Sequence, residues 1–179
     1  MILRTALTAD GDQAEPGEVA EVRLQRSATG VRVDIDAPFH GDPPPPSPIG
    51  STDKLWTFEV GELFIAARTR TGWAYTELEL SPHGHSLALR FIGVRTPSPL
   101  PTLPHFDAGT RIDGARWRAS LELPYDLLPM GPEWHVNACA IHGASPRRYL
   151  TAHALGTPPG KPDFHRPDHF GVWAVRVRP

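Results

Sequence analysis

Apolar and polar residues alternate with a period of two along almost the whole chain, and no stretch sustains a helical period beyond about one turn. Ala20, Val22 and Leu24 alternate with Glu21, Arg23 and Gln25. After a Thr29-Gly30 turn, Val31, Val33 and Ile35 alternate with Arg32, Asp34 and Asp36. Two such runs across a short turn predict a hairpin. Leu87 to Ile92 is a further run, and Trp117, Ala119, Leu121 and Leu123 alternate with Arg116, Arg118, Ser120 and Glu122. Trp134 to Ile141 is mostly apolar, as a buried central strand would be. Tyr149 to Ala154 and Val172 to Val177 close the series, and Tyr125 to Leu128, after Pro124, predicts a single helical turn.

The chain carries 21 Pro and 16 Gly in 179 residues, which favours many turns and few helices. That length supports one domain with a real core and is short for two. The expectation is therefore an all-β, antiparallel β-sandwich occupying residues 1–179 as a single domain. Two proline-rich stretches, Asp42 to Pro48 and Thr96 to Pro104, predict extended surface loops.

Charge narrows the function classes. Lys plus Arg number 18 and Asp plus Glu 20, so no basic footprint for nucleic acid or an anionic membrane exists. A neutral small molecule suits that balance. The single cysteine, Cys139, excludes an internal disulfide and a cysteine-cluster metal site. The first ten residues lack an apolar signal-peptide core and no run reaches the length of a membrane span, so a soluble, cytoplasmic protein is expected.

The chemistry concentrates between Leu55 and Gly84. Two strand-like runs flank a turn at Arg68 to Gly72, and acidic residues interrupt both. Alternation places Glu62, Phe64 and Ala66 on one face of the first run, opposite Leu63, Ile65 and Ala67. In the second, Tyr75, Glu77, Glu79 and Ser81 share a face, opposite Ala74, Thr76, Leu78 and Leu80. A carboxylate in the middle of an apolar strand costs free energy unless something pairs with it. Glu62 is thus either kept for a ligand or tied to an interior arginine such as Arg90 or Arg118.

Several of these residues, taken in order, carry a family resemblance. Trp56, Glu62 in Glu-Leu-Phe-Ile, and Tyr75 to Gly84 as Tyr-x-Glu-x-Glu-x-Ser-Pro-x-Gly resemble the DOMON-like superfamily and its family 9 carbohydrate-binding modules. Trp117 to Pro124, Trp134-His135-Val136-Asn137, and Pro162-Asp163-Phe164-His165 through Phe170-Gly171 resemble later strands of that family, the last in its bacterial single-domain members. The resemblance runs from Trp56 to the C-terminus and implies a β-sandwich of immunoglobulin-like or jelly-roll type. It also implies a slot in which a sugar lies between two aromatic rings. Trp56 matches the first ring, Phe164 falls at the second, Glu62 matches a polar contact and Asn137 a strand asparagine near the slot. Where a family 9 module offers an arginine, a glutamine and an aspartate, this chain has Glu79, Cys139 and His142, a departure that bears on sugar specificity.

Each candidate has a plainer reading. Trp56 is either a stacking platform or a core aromatic, and Phe164 suits core or loop packing, since phenylalanine lacks a polar handle. His153, Asp163, His165 and His169 crowd the C-terminal third and His83-x-His85 sits in a turn, yet these spacings match no compact zinc motif. The resemblance admits calcium, held by oxygen ligands, but no dense Asp/Asn cluster is present. Some relatives hold haem through a methionine and a histidine, and here Met130 is the only methionine besides Met1. Glu62 with Glu79, or with Glu77, could suggest a glycosidase pair, but paired Glu residues on one strand face are more often solvated or salt-bridged. No nucleophile motif or phosphate loop accompanies them. The expectation is a non-catalytic module without a cofactor, binding a carbohydrate-like ligand through Trp56, Glu62, Glu79, Asn137, His142 and Phe164. The alternatives are a haem-type electron-transfer module and an interaction domain with a degenerate sugar site.

Overall fold

The computed structural model describes residues 1–100, 104–158 and 160–174. Within the described residues thirteen strands run in order: β1 (Ile2–Arg4), β2 (Leu7–Thr8), β3 (Glu21–Arg26), β4 (Gly30–Pro38), β5 (Val60–Thr69), β6 (Gly72–Leu80), β7 (Ser86–Gly93), β8 (Thr96–Pro97), β9 (Arg111–Asp113), β10 (Arg116–Pro124), β11 (Trp134–His142), β12 (Arg148–Thr151) and β13 (Gly171–Trp173). Among the described residues there is no α-helix, only short 3-10 turns. One of these, Tyr125–Leu127, stands where Pro124 predicts a helical turn. Among the described residues no helix is long and apolar enough to cross a membrane.

The strands form two antiparallel sheets, as the alternation predicts. One has the order β1-β3-β4-β10-β9; the other runs β2-β12-β11-β5-β6-β7-β8, with β13 also paired to β11. The Thr29-Gly30 turn joins β3 to β4 in the predicted hairpin. The run from Tyr149 shortens to β12, and the run from Val172 contributes to β13, its residues 175–177 lying outside the described residues. The proline-rich stretch from Thr96 differs from expectation at its start. There β8 pairs with β7 across a bulge, while residues 101–103 lie outside the described residues.

Period-two alternation sorts the side chains between two cores. Val22, Leu24, Val31, Val33, Ile35, Trp117 and Leu123 of the five-stranded sheet meet Leu63, Ile65, Leu78, Leu80, Val136 and Leu150 of the eight-stranded sheet. The sheets approach closely at Gly61, where an added Cβ would lie 3.3 Å from the Ile35 side chain and 3.4 Å from Trp117. On the outer face of the larger sheet Phe64, Ala66, Tyr75, Leu87, Cys139 and Ile141 form a second cluster, covered by Leu55, Phe164 and Phe170. The larger sheet is thus buried on both faces, and polar residues on its outer face are withdrawn from water.

Candidate functional site

The cross-strand register of β5 with β6 sets Glu62 directly opposite Glu79 and Phe64 directly opposite Glu77. Directly opposed residues of an antiparallel pair bring their Cβ atoms within about 5 Å, where two like charges repel. All three carboxyls are buried: Glu62 is 1% exposed, Glu77 4% and Glu79 0%. Glu62 Oε1, Glu77 Oε2 and both oxygens of Glu79 have no hydrogen-bond partner among the described residues. Burial, the Glu77 charge and, in the other direction, Arg147 act on Glu62, whose carboxyl rises well above the usual range. Burial lifts Glu77 to about 8, with Arg95 opposing it. Burial, then the charges of Glu62 and Glu77, lift Glu79 in the same way; the Trp56 backbone N–H favours its charged form without reaching hydrogen-bond geometry.

Over this floor lies a cavity of about 520 Å³, within the size of small-molecule sites. Glu62 and Glu77 line it with Trp56, Tyr149, Phe164 and His165, and Arg90 and Arg95 belong to its wall. Trp56 comes from a 3-10 turn, Leu55–Thr57, that begins at Lys54 with φ +56°. Leu55 is fully buried and anchors the turn, which leaves Trp56 39% exposed at the cavity edge. The Arg147 guanidinium ties the turn down by donating to the carbonyls of Trp56 at 3.1 Å and Phe58 at 2.6 Å. Another wall includes Pro162, Phe164 and His165, where Phe164 packs edge-on against Tyr149 with ring centroids 6.3 Å apart.

That wall is held by a defined chain of bonds. The Arg95 backbone N–H donates to the Tyr75 hydroxyl oxygen at 2.9 Å, so the Tyr75 proton is directed to His165 Nδ1 at 2.8 Å. Burial, then Arg95, lowers His165 to about 4, so its ring is neutral. Its proton then lies on Nε2, which stands 3.9 Å from Glu77 Oε2 and is too far for a hydrogen bond. Arg95 itself is bound to Asp163 at 2.6 Å. None of these groups satisfies the buried carboxyl oxygens.

Of the six residues singled out from the sequence, Trp56, Glu62 and Phe164 meet at this cavity. Glu79 lies beside Glu62 but outside the cavity lining. Asn137 is on the same sheet face yet fully buried and spent: its Nδ2 donates to Thr151 Oγ1 at 2.9 Å and its Oδ1 accepts from the His153 N–H at 3.1 Å. His142 falls on the other face, because Cys139 and Ile141 set the parity of β11. There it stacks on His40 at 3.5 Å, and burial, then His40, lowers it to about 4. Arg118 belongs to the other sheet and binds Asp36, so it is no partner for Glu62. Glu77 belongs to the site on an alternation already visible in the sequence. Tyr149 and Arg95 carried no signal there, since Tyr149 reads as an ordinary strand aromatic and Arg95 sits in a turn at φ +54°.

Among the described residues no group of three or more His, Cys, Asp or Glu side chains is arranged to hold a metal ion. Met130 is 91% exposed.

No family model matches the chain. It is 35% identical over 159 residues to the mouse (Mus musculus) UPF0462 protein C4orf33 homolog, covering 83% of this chain and 79% of the relative. The human (Homo sapiens) UPF0462 protein C4orf33 is 34% identical over 161 residues, covering 83% and 76%. Among solved structures, a proposed carbohydrate-binding protein from Bacteroides uniformis superposes with a TM-score of 0.62 at 13% identity, covering 88% of this chain and 78% of that one. At that identity the likeness speaks for the β-sandwich fold.

Proposed function

The chain belongs to the UPF0462 family, and on that footing we propose that it is a binding module without catalytic activity of its own, holding a carbohydrate or sugar-like small molecule. The observation behind this reading is the cavity itself. It joins aromatic rings at Trp56, Tyr149 and Phe164 to buried carboxyl oxygens that lack partners. Sugars present apolar ring faces that stack on aromatics and hydroxyls that bond to carboxyls, so both kinds of wall have a use. In this reading Trp56 is the stacking platform, Phe164 shapes another wall, and Glu62 with Glu77 accepts from or donates to hydroxyls. Asn137 acts from behind, fixing the strand through Thr151 and His153, and Glu79 stands directly opposite Glu62 across the strand pair. The description of the Bacteroides uniformis protein supports the same ligand class. A slot of the family 9 type agrees with the positions of Trp56 and Phe164, and the departures at Glu79, Cys139 and His142 argue for a different sugar.

Stacking with a few hydrogen bonds gives modest affinity, on the order of micromolar to millimolar. Titration calorimetry and NMR chemical shifts against a panel of mono- and disaccharides test the reading. The expected result is binding of at least one sugar, weakened at least tenfold by Trp56→Ala without loss of fold. Binding of none, or binding indifferent to Trp56→Ala, sinks it.

A further inference from the structure

Resting on the reading of this cavity as a ligand site, we propose that its ligand bears a positive charge, as an amino sugar or related amine does, and that Glu62 and Glu77 receive the ammonium group. Hydroxyls alone do not account for the floor. A neutral polyol is served equally well by Asn, Gln or Thr side chains, which can be buried with hydrogen bonds and without ionisation. Three carboxyls within two cross-strand rows are costly by comparison, since each must keep its proton or face a neighbouring charge in a dry setting. What they offer that an amide does not is a negative charge on demand, released as a proton leaves for solvent and a cation arrives.

Among the described residues no cationic side chain hydrogen-bonds to the open oxygens of Glu62 and Glu77. The Arg95 guanidinium is engaged by Asp163 at 2.6 Å. Arg147 donates to the carbonyls of Gly143, Trp56 and Phe58 and stands 3.5 Å from Asp42. His165 is neutral and 3.9 Å from Glu77. The unpartnered Oε1 of Glu62 and Oε2 of Glu77 belong to side chains more than nine-tenths buried, and both residues line the cavity.

The shape of the site favours an organic cation over a bare ion. No three side chains of metal-ligating type among the described residues are arranged for a metal, and the space is that of a whole small molecule. The aromatic rings of Trp56, Tyr149 and Phe164 in the same walls suit an ammonium group, whose charge is attracted to a ring face.

Calorimetric titration of the full chain near pH 6.5 with D-glucose, N-acetyl-D-glucosamine, D-glucosamine and putrescine tests the inference, since an α-amino-like group is charged at about that pH. D-glucosamine is expected to bind at least tenfold more tightly than either neutral sugar. Glu77→Gln and Glu62→Gln, which keep size and remove charge, should each erase that preference while leaving circular dichroism unchanged. Neutral sugars binding as tightly as D-glucosamine would overturn the inference and leave the carbohydrate reading standing. Putrescine binding that is lost in Glu77→Gln, with no sugar bound, would keep the cation site and remove the carbohydrate. Binding of none of the four overturns both.

Discussion

Both sheets carry rows of carboxylates on their outer faces, and the two rows are treated in opposite ways. On the five-stranded sheet Glu21 meets Arg4 and Arg23, Asp34 meets Arg32, Asp36 meets Arg116 and Arg118, and Glu122 accepts from Ser27 and Thr29. For Asp36, burial pushes the carboxyl up, but the bonds and charges of Arg116 and Arg118 outweigh it and hold the group below its ordinary range. On the eight-stranded sheet Glu62, Glu77 and Glu79 lie under a covering layer, with Glu62 Oε1, Glu77 Oε2 and both Glu79 oxygens given no hydrogen-bond partner among the described residues, and burial drives all three upward. The same residue type on the same kind of strand is thus solvated ornament in one place and an unresolved demand for a partner in the other. Cover from water, not the presence of acidic residues, makes the difference.

The comparison can be broken most forcefully from the layer beneath. Leu63 is fully buried between the sheets and neighbours Glu62 in sequence. Leu63→Ala should cost about 2–5 kcal/mol through lost burial and a residual cavity, read as a lower urea midpoint. A loss under about 1 kcal/mol would mean the inter-sheet core does not hold the site in place.

A pH series separates the two rows next. Glu77 binds its proton more tightly folded than unfolded, from an ordinary 4.5 to about 8. Its contribution is therefore complete at low pH and is lost as pH rises toward 8. His142 and His165, lowered from 6.5 to about 4, act in the reverse sense and remove stability as pH falls from 6.5. Above pH 6.5 the carboxyls dominate until the unfolded Cys139 thiol begins to ionise, so urea melts should show a stability loss on the order of 1–2 kcal/mol between about pH 6.5 and 8. Glu77→Gln should reduce that slope, and an unchanged slope would dismiss Glu77 as a source of it. The smallest effect belongs to the paired row. Asp36→Asn should cost no more than about 1 kcal/mol, because its arginine partners are solvent-screened, and should leave the slope above pH 6.5 untouched.

Most of the fold was legible because period-two alternation survives wherever one face of a strand is buried. Leu63, Ile65, Leu78 and Leu80 could be assigned to the inter-sheet core from parity alone, and Glu62, Glu77 and Glu79 to the opposite face. The site was legible only in part. Trp56 and Phe164 lie more than a hundred residues apart and meet through loops whose course no periodicity encodes. His142 was matched to the slot by family resemblance, yet parity along β11 puts it on the opposite face from Cys139 and Ile141, since one residue's shift exchanges the faces. Asn137, matched by resemblance to an asparagine near the slot, is spent on Thr151 and His153, which arrive from β12 and the turn after it. Hydrogen bonds between distant segments leave no mark in local pattern.

Strand β11 takes both β12 and β13 as neighbours, at Cys139 to His142 and at Trp134 to Val136. The stretch bearing Pro162, Phe164 and His165 runs between those two attachments, and it is tacked down midway by Tyr75 and Arg95. The roof of the cavity is therefore lashed at both ends to one strand of its own floor. A ligand of the proposed kind would meet a mould already cast, and its residence time, rather than any folding of chain around it, would govern how tightly it is held.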